Sequence, residues 1–200
     1  MGVTRRVVVA MLVPVPWSPP GVELAAWRAA LAEDVVDLLA RLAQAEAAIA
    51  TTPEDRPLAE EIAWPGMRIY EVPRATVLPV LAAAAADGFD QAAVIAGDAP
   101  DVPGMILGKL LRPLESKAVA VAPGGPGGGV FGVATSLPAP GWLADHDLDG
   151  ATAQLLRRTA PAPGDVTSTP PWRRLRGPAD LATLDVALEG WDNTRALLGG

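Results

Sequence analysis

Two hundred residues are room for one domain, and a chain that is 50 % apolar has ample material for a single core. A formal net charge of −7 argues against a general nucleic-acid binder, which needs clustered Lys and Arg to neutralise phosphates. The absence of cysteine excludes disulfides and thiolate metal sites. No apolar run approaches the roughly 20 residues of a membrane span, so a protein of the cytoplasm with no membrane partner is expected.

The chain opens MGVTRRVVVAMLVPVPW. Two arginines before an apolar run suggest a secretion signal, but the run is rich in β-branched Val and closes on prolines without a small-residue cleavage site, so a first strand over Val7 to Val13 is expected. The segment PVPWSPPG that follows is a rigid turn. Residues 22–47 place Leu24, Trp27, Leu31, Val35, Leu38, Leu39 and Leu42 on one helical stripe. A short strand over Ala47 to Thr51, a loop rich in Pro, Asp and Glu, and a strand over Met67 to Val72 come next. A helix over 75–86, ending in five alanines, stops at Asp87-Gly88.

The stretch AAVIAGDAPDVPG, residues 92–104, is a buried strand that ends abruptly in two carboxylates stiffened by two prolines. A helix from about Pro103 to Leu111 and a strand from Lys117 to Ala122 follow, then PGGPGGG and the apolar VFGVA. Helical stretches near 150–158 and 178–189 flank the turn-rich APAPGDVTSTPPWRRLRG. Strands alternating with helices predict an α/β protein, a three-layer α/β/α sandwich on a mostly parallel sheet, as one domain over 1–200 without repeats.

In open α/β sheets ligands bind beyond the carboxyl ends of the strands, which is where Asp98 and Asp101 sit. Two carboxylates three residues apart suit a divalent cation held through oxygen, with room left for substrate phosphates. Capping of the helix near Pro103 is the competing reading. The glycine-rich Pro123 to Gly129 precedes a strand, not a helix, so it is neither a P-loop nor a dinucleotide fingerprint. It either lets backbone approach a substrate or is a plain hairpin connection. The cluster DHDLD, residues 145–149, holds the single histidine; it is a mixed metal site or a solvated turn with a cap. The tryptophans, Trp142 and Trp172 among them, are core or loop plugs, or the walls of a pocket. The basic cluster Arg173, Arg174 and Arg176 is a solvated surface or an anion site.

Three of these segments, in this order, resemble small bacterial GT-A-fold proteins of the nucleotide-diphospho-sugar transferase type, distant relatives of the molybdopterin and 2-phospholactate guanylyltransferases. The family's middle strand ends Gly-Ser-Asp-Cys-Pro-Asp-Leu; here it is Gly97-Asp98-Ala99-Pro100-Asp101-Val102. Its Pro-Ala-Asp-Gly-Gly segment stands here as Pro123-Gly124-Gly125-Pro126-Gly127-Gly128. Its late Pro-Leu-Arg-Asp-Val-Asp-Thr-Pro-Glu-Asp-Leu stands as Pro171 to Leu181, with Pro171, Arg173, Pro178, Asp180 and Leu181 in place.

The resemblance covers the chain to about Leu184. It implies glycosyl or nucleotidyl transfer from a nucleotide or nucleotide sugar, with Asp98 and Asp101 as catalytic residues, Asp98 as ligand to Mg²⁺ or Mn²⁺, and Gly127, Gly128, Arg174 and Arg176 on the substrate. The departures point elsewhere. The first loop, Pro14 to Gly21, lacks the family's Lys and Arg, Pro126 replaces an acid, and Arg174 and Arg176 replace two late aspartates. Such a site is expected to hold a divalent ion poorly and to bind an anion through its arginine forks. A catalytically silent homologue serving as a binding or scaffolding module is the alternative. A further possibility is an anion-responsive partner of a larger enzyme complex.

Overall fold

A computed structural model of the chain describes residues 4–126 and 129–199. In chain order it comprises β1 (Arg6–Met11), α1 (Leu24–Ala40), β2 (Glu46–Thr51), α2 (Arg56–Ile62), β3 (Arg68–Glu71), α3 (Val77–Ala86), β4 (Gln91–Ala96) and α4 (Gly104–Leu111). The second half adds β5 (Val119–Pro123), β6 (Val130–Ser136), α5 (Ala153–Thr159), β7 (Val166–Ser168), α6 (Pro178–Leu181) and α7 (Asp192–Leu197). The seven strands form one sheet in the order β3-β2-β1-β4-β6-β5-β7. Only β6 runs against its neighbours β4 and β5.

The layers follow from the two-residue period of the strands. Val7, Val9 and Met11 of β1 join Ala92, Val94 and Ala96 of β4 on the face covered by α3, through Val77, Val80, Leu81 and Ala84. Val8 and Ala10, with Ala93 and Ile95, face α1, α2 and α4. Central strands buried on both faces read as the unbroken apolar runs seen in the sequence. The three-layer α/β/α sandwich is therefore the architecture observed. No described helix is long and apolar enough to cross a membrane.

Helix α1 keeps the expected stripe: Trp27, Leu31, Val35 and Leu39, four residues apart, are buried to within 1 %, and burial of such a side chain contributes about 1.5–3 kcal/mol. It ends at Ala40, not at 47. Residues from Glu46 onward instead pair with β1, Val7 opposite Glu46 through Met11 opposite Ala50. Alanine is the best helix former, but such propensities are weak beside tertiary pairing, and the sheet overrides them here. The acidic loop after β2 contains α2, and the stretch 178–189 shrinks to the single turn of α6. Strand β7 and helix α7 are short elements with no sequence pattern of their own.

A satellite cluster fixes the carboxyl-terminal segment against the first loop. Val15, Trp27, Leu31 and Leu175 pack together with Trp17, Leu181 and Leu197 around them. Trp17 meets Trp27 edge-on, with centroids 6.2 Å apart at 83°. This packing holds Leu175, and so its neighbours Arg174 and Arg176, over the carboxyl end of β4.

Candidate functional site

Strand β4 ends where Gly97 donates its N–H to the Met11 carbonyl at 2.9 Å. A Cβ at Gly97 would lie 3.0 Å from that same oxygen, so the chain leaves the sheet in tight contact with β1. Asp98, the next residue, is completely shielded from solvent. A lone carboxylate there would be prohibitively costly, so it needs a cation.

Arg174 supplies it. Its Nε donates to Asp98 Oδ1 at 2.7 Å and its Nη2 to Asp98 Oδ2 at 2.9 Å, the two-pronged geometry in which a guanidinium matches a carboxylate. The backbone is tied as well, since Leu175 N–H donates to the Asp98 carbonyl at 2.8 Å. Nη1 of Arg174 then reaches Asp149 Oδ1 at 2.7 Å. Arg176 forks onto Asp149 at 2.6 and 3.0 Å and approaches Asp98 Oδ2 at 3.5 Å. Two carboxylates from separate loops and two guanidinium groups thus form one charge-balanced cluster. Burial would discharge Arg174, but the charge and hydrogen bonds of Asp98, with those of Asp149, hold its guanidinium above the ordinary range. Burial likewise opposes ionisation of Asp149, yet the Arg176 hydrogen bond and the two guanidinium charges keep its carboxyl below the usual value.

Asp101 has its own partners. It accepts from the Trp172 indole Nε1 at 3.3 Å and from Arg173 Nη2, and the Arg173 guanidinium lies over the Trp172 ring, 4.7 Å from its centroid. Burial still pushes the Asp101 carboxyl above the usual range despite the Arg173 charge and the indole hydrogen bond. Helix α4 takes Pro103 as its cap residue and receives no side-chain cap. Neither carboxylate is therefore a cap.

The glycine-rich connection lies against this segment. Gly125, at φ +89°, would place a Cβ 3.5 Å from Arg173 Cα, and Gly129, at φ +73°, would drive one to 2.5 Å from the Leu148 carbonyl oxygen. Val130 N–H donates to that same oxygen at 2.7 Å, and this junction carries Asp149 toward the arginines. Gly127 and Gly128, expected on the substrate, lie outside the described residues.

The DHDLD acids do not converge. Asp145 accepts from Leu78 N–H at 3.0 Å and Thr76 Oγ1 at 2.8 Å at the start of α3, Asp147 closes its own turn onto Gly150 N–H, and only Asp149 joins the cluster. Among the described residues no three His, Asp or Glu side chains are grouped to hold a metal. The donor set explains why a divalent ion does not fit: both oxygens of Asp98 and both of Asp149 are already taken by guanidinium donors.

Beside the cluster, at the carboxyl ends of β1 and β3, lies a crevice of about 370 Å³ lined by residues including Val13, Pro14, Arg74, Thr76, Asp147 and Asp149. Arg74 is largely exposed there, with Nη2 3.5 Å from Asp145 Oδ2. Arg28 carries no signal in the sequence, being one arginine within helix α1. It braces the first loop from behind, donating Nε to the Val13 carbonyl at 3.0 Å while both its Nη atoms fork onto Asp55 at 2.6 Å.

No protein-family model and no curated protein matches the chain. Solved structures do. A protein of Desulfovibrio desulfuricans named as a nucleotide-diphospho-sugar transferase aligns with a TM-score of 0.63 at 18 % identity, over 100 % of this chain and 98 % of its own. The 4-diphosphocytidyl-2C-methyl-D-erythritol synthase of Anaerococcus prevotii aligns with a TM-score of 0.62 at 11 % identity, over 98 % and 96 %. A Mycobacterium tuberculosis protein solved in complex with manganese aligns with a TM-score of 0.54 at 16 % identity, over the whole of both chains. The fold is thus that of nucleotide-diphospho-sugar transferases and cytidylyltransferases.

Proposed function

We propose that the protein binds an activated nucleotide, either a nucleotide sugar or a nucleoside triphosphate, in the crevice at the carboxyl ends of β1 and β3, and transfers its glycosyl or nucleotidyl group without a divalent ion. The observation that carries this reading is the Arg174–Asp98 fork, which joins a segment at the end of the chain to the end of the central strand and is linked through Asp149 to the lining of that crevice. In this reading Asp98 and Asp101 are positioning residues: they hold Arg174 and Arg173, and neither is open to a substrate. Arg176, whose side chain is 30 % exposed, and Arg74 face the developing negative charge of a leaving phosphate or diphosphate. Cations aimed at developing charge stabilise it with no metal present. Gly127 and Gly128 border the acceptor side in the same reading.

Calorimetry with a panel of nucleotide sugars and nucleoside triphosphates, in EDTA and in Mn²⁺, tests it. The expected result is heat with at least one nucleotide, equal in both buffers, and about tenfold weaker binding in Arg176→Ala, the loss of one charged hydrogen bond. No heat with any of them would sink the proposal.

A specific observation favours a second reading, a silent module that binds without transfer. Four of the five N–H donors of Arg174 are spent on Asp98, Asp149 and the Val130 carbonyl. Little is left to follow charge as it moves. Nucleotide binding without release of nucleoside diphosphate or pyrophosphate would establish that module and remove the transferase.

A further inference from the structure

We infer that the Arg174 guanidinium is an internal substitute for a divalent cation: it sits between Asp98 and Asp149 as a built-in counter-ion, closes the cluster to Mg²⁺ and Mn²⁺, and opens it to them when removed. The inference concerns the cation slot alone and does not depend on any nucleotide being bound.

Carboxylates from two separate loops converge on one positive centre, at 2.7 and 2.9 Å for Asp98 and 2.7 Å for Asp149. That is what a divalent ion imposes on acids that would otherwise repel. The charges also match, because Asp98 and Asp149 carry two negative charges and Arg174 with Arg176 carry two positive ones, the charge of a single divalent ion. The substitute differs from an ion in two ways. It cannot dissociate, since Leu175 is anchored in the apolar cluster and bonded to the Asp98 carbonyl. It is also planar and nearly saturated, so it has no exchangeable coordination position to offer a substrate oxygen.

The slot is tested by thermal unfolding of the full chain with MnCl2. Wild type is expected to show no shift. Arg174→Ala leaves Asp98 buried with only the distant Arg176 contact at 3.5 Å and unfolds at a lower temperature, and Mn²⁺ at about a hundredfold excess over its dissociation constant is expected to raise that temperature by roughly 5–10 °C. The rise should vanish in Arg174→Ala/Asp149→Asn. Guanidinium ion at low millimolar concentration should also stabilise Arg174→Ala and not wild type. Arg174→Asp, which presents a third carboxylate, should bind Mn²⁺ more tightly still, read from the loss of the free Mn²⁺ electron-spin signal. A Mn²⁺-dependent shift in wild type that Asp149→Asn removes would overturn the inference. So would an Arg174→Ala chain that Mn²⁺ neither stabilises nor restores to the folded state, or a folded Arg174→Asp chain that leaves the Mn²⁺ signal unchanged.

Discussion

At Asp98 the arithmetic of burial decides the chemistry. A carboxylate with no solvent contact survives only through a fully desolvated partner, and Arg174 is exposed by just 2 % in its side chain. Breaking such a pair leaves an uncompensated charge and costs about 3–5 kcal/mol. Arg174→Met should therefore lower the free energy of urea unfolding by that amount, whereas Asp98→Leu/Arg174→Met should recover most of it, because the double change leaves no orphan charge. Asp149 behaves differently, being half open to water. Its carboxyl lies below its ordinary 3.8, so its contribution is present above about pH 4 and is lost as pH falls through the depressed value. The unfolding temperature should fall below pH 4 more steeply in wild type than in Asp149→Asn.

At the scale of elements, short pieces without a signal of their own are held by single polar anchors. Helix α7 spans six residues, too short to be stable alone. It docks because Asp34, 1 % exposed on α1, accepts from Asn193 N–H and Nδ2 at 3.0 Å and from Thr194 N–H at 2.8 Å. Asp34→Ala removes the acceptor for both backbone donors, and amides 193–198 should lose their hydrogen-exchange protection while those of β1 and β4 keep theirs. The junction before β6 depends on Gly129 in the same way. Its positive φ costs an L-residue about 1–2 kcal/mol, and the collision with the Leu148 carbonyl adds to it. Gly129→Ala should accordingly lower stability by more than Gly125→Ala, whose Cβ would have ordinary room.

At the scale of the molecule, the last thirty or so residues close the carboxyl end of the central strand as much as they extend the chain. Residues 172–176 bring the arginines to β4, and Leu175, Leu181 and Leu197 cover Val15, Trp27 and Leu31. A chain ended after residue 171 loses the guanidinium partners of Asp98 and Asp101 together with that apolar cover. It should show helical circular dichroism but no cooperative thermal transition.

The sequence alone determined the layered α/β architecture, because short unbroken apolar runs alternating with period-3.6 helices are local patterns that a sheet covered on both faces imposes. Through the order of three motifs, its resemblance to a known family also singled out Asp98, Asp101, Gly127, Gly128, Arg174 and Arg176 as candidate site residues, and left open whether the arginines converge on Asp98. It left the role of the acids divided between metal ligand and helix cap, and blurred the boundary at Ala40, because the alanines that follow favour continuing the helix. Only the tertiary structure decided that both carboxylates are paired with arginines, across about seventy-five residues, Asp98 at |i−j| of 76 and Asp101 at 72. An ion pair at that separation leaves no periodicity in the chain; it exists because the fold brings a buried negative charge and a distant guanidinium to the same water-free point, where neither is affordable without the other.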